Sequence, residues 1–106
     1  MDESGNKCLV TVYLNKVEKS NVIRGEFNKL GLHNSFTRDG KVYDLPDNMY
    51  VKSTVGNNQD AIRDAVLDDV NKAMQSKGLS DCSIGVFVGK DWTKDAIVDY
   101  NKGDKV

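Results

Sequence analysis

The sequence predicts an α+β domain with a ferredoxin-like βαββαβ order. This means a four-stranded antiparallel sheet, two helices on one face and a short C-terminal helix. Three observations predict it. Two segments carry apolar residues at helical spacing, and each is closed by a glycine. Strand-like runs precede, separate and follow those segments, rich in β-branched and aromatic residues. A chain of 106 residues has room for one core and little more.

The first element is Cys8 to Leu14, Cys-Leu-Val-Thr-Val-Tyr-Leu, whose nearly continuous apolar character suits a central strand. Ser20 or Asn21 caps a helix over 20–30, with Ile23, Phe27 and Leu30 as its apolar stripe and Gly31 as its stop. Residues 34–55 are rich in strand formers. Phe36 leads into Arg38-Asp39-Gly40-Lys41, where Asp-Gly predicts a tight hairpin turn. Val42, Tyr43 and Leu45 resume the pattern, so the second strand is read as two short pieces. Pro46-Asp47-Asn48 turns the chain into a strand over Met49–Val55. Asn57 or Asn58 caps the second helix, which carries Ile62, Val66, Val70 and Ala73 or Met74 on its apolar side and stops at Gly78. Cys82 to Val88 sets Ile84, Val86 and Val88 against Ser83, Gly85 and Phe87, and reads as the last strand. Thr93 caps a terminal helical turn, with Trp92 packing on Ile97 as a staple. The chain is read as a single domain, 1–106, with an ordered core over about 7–100 between polar ends.

Composition narrows the function classes. With 39% hydrophobic and 29% charged residues, the chain is too apolar for a disordered tail and too polar for a membrane protein. Fifteen basic residues against sixteen acidic ones exclude a generic polycation that holds nucleic acid by bulk charge. The N-terminus lacks the basic-then-apolar pattern of a secretory leader, and the cytoplasm is the expected location. Cys8 and Cys82 are too few for a disulfide framework and are read as reduced thiols in apolar runs. Neither a metal site nor a cofactor is expected.

Few constellations carry chemistry. Asp60, Asp64 and Asp68 lie four apart on one helical face. Without a His or Glu to complete a ligand set, they read as a solvated face near a helix N-terminus. Gly89-Lys90-Asp91 lacks the spacing of a phosphate loop. His33 is the only histidine and follows the first helix; it and Asp39 are the candidate catalytic bases. Neither a Ser/His/Asp nor a Cys/His triad can be assembled around that histidine. The charge is unevenly spread. Residues 7–52 hold eight basic and five acidic side chains, so the overall −1 leaves −4 for the rest. Arg38, Lys41 and Tyr43 flank the hairpin tip. Cations beside an aromatic suit single-stranded nucleic acid. The same charges would also keep an edge hairpin from pairing with other strands. The aromatic strand motif of an RRM is absent from Met49–Thr54.

The run Phe36-Thr37-Arg38-Asp39-Gly40-Lys41-Val42-Tyr43-Asp44-Leu45-Pro46, followed by Tyr50, resembles a family of small ferredoxin-like proteins of bacteria and phages that includes the GhoS-like type V antitoxins. The last strand running into Asp91-Trp92-Thr93 is similar as well, and the shared layout spans roughly residues 8 to 100. The resemblance implies a ferredoxin-like fold and an endoribonuclease that cleaves a toxin transcript. Its matched residues are turn and packing residues, so it transfers no catalytic role. Two functions stay open on the sequence. The first is a small antitoxin-like regulator acting on RNA, as a sequence-selective endoribonuclease if it is an enzyme. In that reading His33 or Asp39 is the base, and Arg38 or Lys41 clamps the phosphate. The second is a non-catalytic phage or mobile-element protein that binds and inhibits a host protein. The partners expected are RNA or a protein, with a homodimer formed through a sheet edge and no membrane.

Overall fold

A computed structural model describes residues 7–79, 81–91 and 93. Their elements are β1 (Lys7–Leu14), α1 (Ser20–Lys29), β2 (Ser35–Arg38), β3 (Lys41–Asp44), β4 (Met49–Val55), α2 (Gln59–Ser76) and β5 (Ile84–Gly89). The terminal helix expected after Thr93, and the Trp92–Ile97 contact, lie outside the described residues.

The apolar β1 becomes the central strand, antiparallel to β4 on one side and β5 on the other. Its even residues face the helices. Val10, Val12 and Leu14 are fully buried there with Ile23 and Phe27 of α1, Val66, Val70 and Met74 of α2, and Tyr50 of β4. The Phe27 ring meets Tyr50 edge-on, with centroids 4.8 Å apart. Both helices thus cover one face, as their apolar stripes predict.

Each helix ends in a Schellman motif built on the glycine the sequence marks. After α1, Gly31 (φ 82°) donates to the Asn28 carbonyl and Leu32 to that of Phe27. After α2, Gly78 (φ 72°) donates to Gln75 and Leu79 to Met74. Leu32 and Leu79 then drop into the core, which closes both helix ends with apolar contacts. Asn58 caps α2, its side chain accepting from the Ala61 amide. At α1 the cap differs from expectation. Lys19 occupies it in the left-handed region (φ 53°), and its carbonyl accepts the first helical amides, from Val22 and Ile23.

The expected four-stranded sheet is the main correction. The sheet has three strands, in the order β4-β1-β5, and β2 and β3 pair only with each other. The chain begins to add a fourth strand and then leaves. His33 exchanges two main-chain hydrogen bonds with Val51, at 2.8 and 2.9 Å. At the next residue the Asn34 side chain donates to the carbonyls of Pro46 and Met49, and so takes an acceptor on the outer edge of β4. The Asn34 carbonyl accepts from Leu45 instead and starts the hairpin. The hairpin folds over the side of the sheet away from the helices. Phe36 and Leu45 pack there on Leu9, Val51 and Met49. The reason is apolar: an edge strand in the sheet plane would leave the outer face of Leu9 and Val51 bare.

Neither Cys8 nor Cys82 is in a disulfide among the described residues. Cys8 lies at the start of β1 and Cys82 just past its other end, against the Lys16 carbonyl, about 20 Å of strand away. Among the described residues no helix is long and apolar enough to cross a membrane.

Candidate functional site

The hairpin gathers three of the predicted site residues onto one surface. Asp39 (φ 52°) and Gly40 (φ 77°) both adopt positive φ, as a two-residue I′ turn requires. That turn pairs Arg38 with Lys41 and Phe36 with Tyr43. Side chains alternate along a strand, so Phe36, Arg38, Lys41 and Tyr43 share a face, and Thr37 and Val42 point the other way. On the shared face the Phe36 and Tyr43 rings stack, 5.4 Å between centroids and 14° between planes. The Arg38 guanidinium carbon lies 5.1 Å from the Tyr43 ring centre. The result is a ladder of Phe36, Tyr43 and Arg38, flanked by the exposed Lys41.

The ladder is anchored at both ends. Phe36 packs against the second apolar cluster, with Leu9, Leu45 and Val51. Arg38 donates through Nη1 to the Thr93 carbonyl at 2.9 Å. Thr93 is itself buried, and both its amide and its hydroxyl donate to the Asp91 carboxylate. Arg38 is therefore a structural tie as well as a surface cation.

The two candidate bases are not brought together. Asp39 is exposed at the hairpin tip, and His33 is exposed at its base. The four residues of β2, about 13 Å of strand, lie between them. A base and an acid acting on one phosphodiester must both reach the reacting atoms within hydrogen-bond distance. This pair does not span that gap. Nor does His33 share a surface with Lys41, which sits beside the tip.

His33 instead stands between two open clefts. One, of about 440 Å³, includes Arg24, Asn28, Asp44 and Asp47. The other, of about 410 Å³, includes Phe36, Lys52, Ser53 and Asp91. The cations Arg24 and Lys52 are the neighbours that sequence reasoning missed. Lys52 lies on the helix side of β4, with its chain across Gly31 and its Nζ donating to the Leu30 carbonyl at 3.0 Å. It neutralises the C-terminal end of α1. The one sequence signal for this was its alternation with Val51, and only the fold sets it beside the loop that carries His33.

The aspartate face of α2 behaves as a solvated surface. Arg63 pairs with Asp60 and Asp64, and Lys72 pairs with Asp68, all exposed. Among the described residues no group of three or more His, Cys, Asp or Glu side chains could hold a metal ion. The displaced titrations belong to scaffold contacts. The hydrogen bond from Lys29, helped by Lys77, holds Glu26 below the usual carboxylate range. Asp81 raises Lys16 and is lowered in return. Burial pushes the Tyr50 phenol up.

Comparison with protein-family models, curated proteins and solved structures finds no significant match.

Proposed function

We propose that the protein acts on RNA as a small antitoxin-like regulator that binds without cutting, with the hairpin as its contact surface. The observation that carries this reading is the shared face of Arg38, Lys41 and Tyr43, backed by Phe36. Unstacked bases are held on aromatic rings and guanidinium planes, and phosphates by nearby cations. Phe36 backs Tyr43 from the packed side, the half-buried Tyr43 and Arg38 offer the open part of the platform, and Lys41 offers the charge. The separation of His33 from Asp39 and from Lys41 argues against cleavage by the set the sequence suggests. The same proposal includes a ferredoxin-like layout. The order β5-β1-β4 is that of its first three strands from one edge, and the His33–Val51 bridge marks where the fourth strand has become a folded-over hairpin.

Fluorescence anisotropy with labelled single-stranded RNA tests the reading, run across a salt series. Wild type is expected to bind at low salt. Lys41→Ala removes one phosphate contact, so the slope of log affinity against log salt falls by about 0.7. Tyr43→Leu removes a stacking surface and costs about 1–3 kcal/mol of binding. Absence of binding at low salt, or wild-type binding by both variants, overturns the proposal. The same RNA on a sequencing gel separates binding from cleavage. Intact RNA fits a binder, and discrete products would return the endoribonuclease reading with His33 as the residue to replace.

A further inference from the structure

The outer edge of β5 has no strand beside it among the described residues. The direction of its main-chain groups follows from β1. Asn15 donates to Ser83 on the β5 side, and Leu14 donates to Asn48 on the β4 side. Alternation then points the amides and carbonyls of Gly85, Phe87 and Gly89 at β1, and those of Ile84, Val86 and Val88 outward. No partner for those outward groups occurs among the described residues. The strand Ile-Gly-Val-Phe-Val-Gly also carries none of the usual protections of an edge, having no charge, no proline and no bulge.

The side chains are self-complementary about Val86. We propose that two chains join antiparallel along β5, on a two-fold axis at Val86, to form one six-stranded sheet. Val86 then pairs with Val86 of the second copy, and Ile84 with Val88, through about six main-chain hydrogen bonds. On the helix side this sets branched residues opposite branched residues. On the open side it sets Phe87 opposite Gly85. Phe87 is 62% exposed in the single chain, its ring folded back over its own Gly85. In the pair the two rings become diagonal neighbours, about 7–8 Å apart at the backbone and within reach of each other. Tyr13, 45% exposed and opposite Gly85 on β1, extends the same apolar row.

The rim leaves room beside the edge. A groove of about 230 Å³ runs between the edge at Val86, Phe87 and Val88 and the start of α2 at Gln59, Asp60 and Arg63. It leaves the edge reachable. Its wall carries one acid and one base, Asp60 and Arg63, which pair with each other at 3.2 Å within the chain. This surface lies at the opposite edge of the sheet from the hairpin, so it stands independently of the RNA reading.

Light scattering on the full chain over a concentration series tests the pairing, together with amide exchange at Val86 and Val88. The expected result is a mass rising from 11.8 kDa toward twice that value. In step with it, the Val86 and Val88 amides should exchange at least about tenfold more slowly as the pair forms. Phe87→Lys, at an exposed position, should hold the chain monomeric with an unchanged circular dichroism spectrum. Val86→Pro removes an outward amide and should do the same. A monomer at every concentration overturns the proposal and leaves the edge for a strand of another protein. A dimer whose Val86 and Val88 amides stay unprotected, or which survives Phe87→Lys, also overturns it.

Discussion

Along the β4 edge, the outward main-chain groups of Met49 and Val51 are taken up by Pro46, Asn34 and His33, and the hairpin folds over the face beside them. Along the β5 edge, Ile84, Val86 and Val88 point outward with no such cover among the described residues. Both edges belong to one three-stranded sheet, and both flank the same apolar central strand. What differs is the local chain. Beside β4 runs a polar segment with an asparagine able to donate twice. Beside β5, among the described residues, lies only the start of α2. An edge becomes closed when the neighbouring sequence can satisfy its main chain and still bury its own apolar residues. Among the described residues the β4 edge meets both conditions and the β5 edge meets neither.

Substitutions can break this contrast. The largest effect is expected at Leu45, the hairpin residue most fully buried against the sheet, at 5% exposed. Leu45→Ala should cost about 2–4 kcal/mol in urea unfolding, because it leaves a cavity over Leu9 and Val51. A cost below about 1 kcal/mol would mean that the main-chain bridge, not apolar burial, closes the β4 edge. Asn34→Ala tests that bridge directly. It leaves the Met49 carbonyl without its donor and the Pro46 carbonyl with the Met49 amide alone, and a loss of about 1–3 kcal/mol is expected, with faster amide exchange across residues 35–45. Unchanged exchange there would show that the hairpin holds without it.

Tyr50, on the inner side of β4, sharpens the comparison from within. Its hydroxyl is buried and makes no hydrogen bond among the described residues, so Tyr50→Phe should stabilise the protein by about 1 kcal/mol. Burial raises its folded-state pKa above the ordinary 10.0. The stability tied to its neutral form is therefore present below pH 10.0 and is lost as pH rises through the raised value. The Phe variant should lose this alkaline decline, and a decline of equal size in both proteins would assign it to another group. The smallest effect lies away from both edges, at Glu26, which joins Lys29 of α1 to Lys77 beyond α2. Its folded-state pKa is depressed, so its contribution is present above the ordinary 4.5 and is lost as pH falls through the lowered value. Glu26→Gln should flatten only the acid limb of a stability profile and leave hairpin exchange as it was.

The sequence by itself determined what depends on near neighbours along the chain. The stripes Ile23–Phe27 and Val66–Val70–Met74 mark the helices, and Gly31 and Gly78 their ends. Asp39-Gly40 sets the I′ turn, and through it the placing of Arg38, Lys41 and Tyr43 on one hairpin face. These follow from periodicity and backbone sterics, which act over a few residues. The strand count was legible too, but the number in one sheet was not. Whether residues 34–45 extend the sheet or fold across it depends on Leu9, Val51 and Met49, which lie elsewhere in the chain. The sequence also left open which site residues meet. Separation along a hairpin keeps His33 from Asp39, and the return of the chain at Thr93 ties down Arg38. Tertiary structure alone decided these points, because edge pairing and apolar cover join segments whose proximity no local pattern encodes.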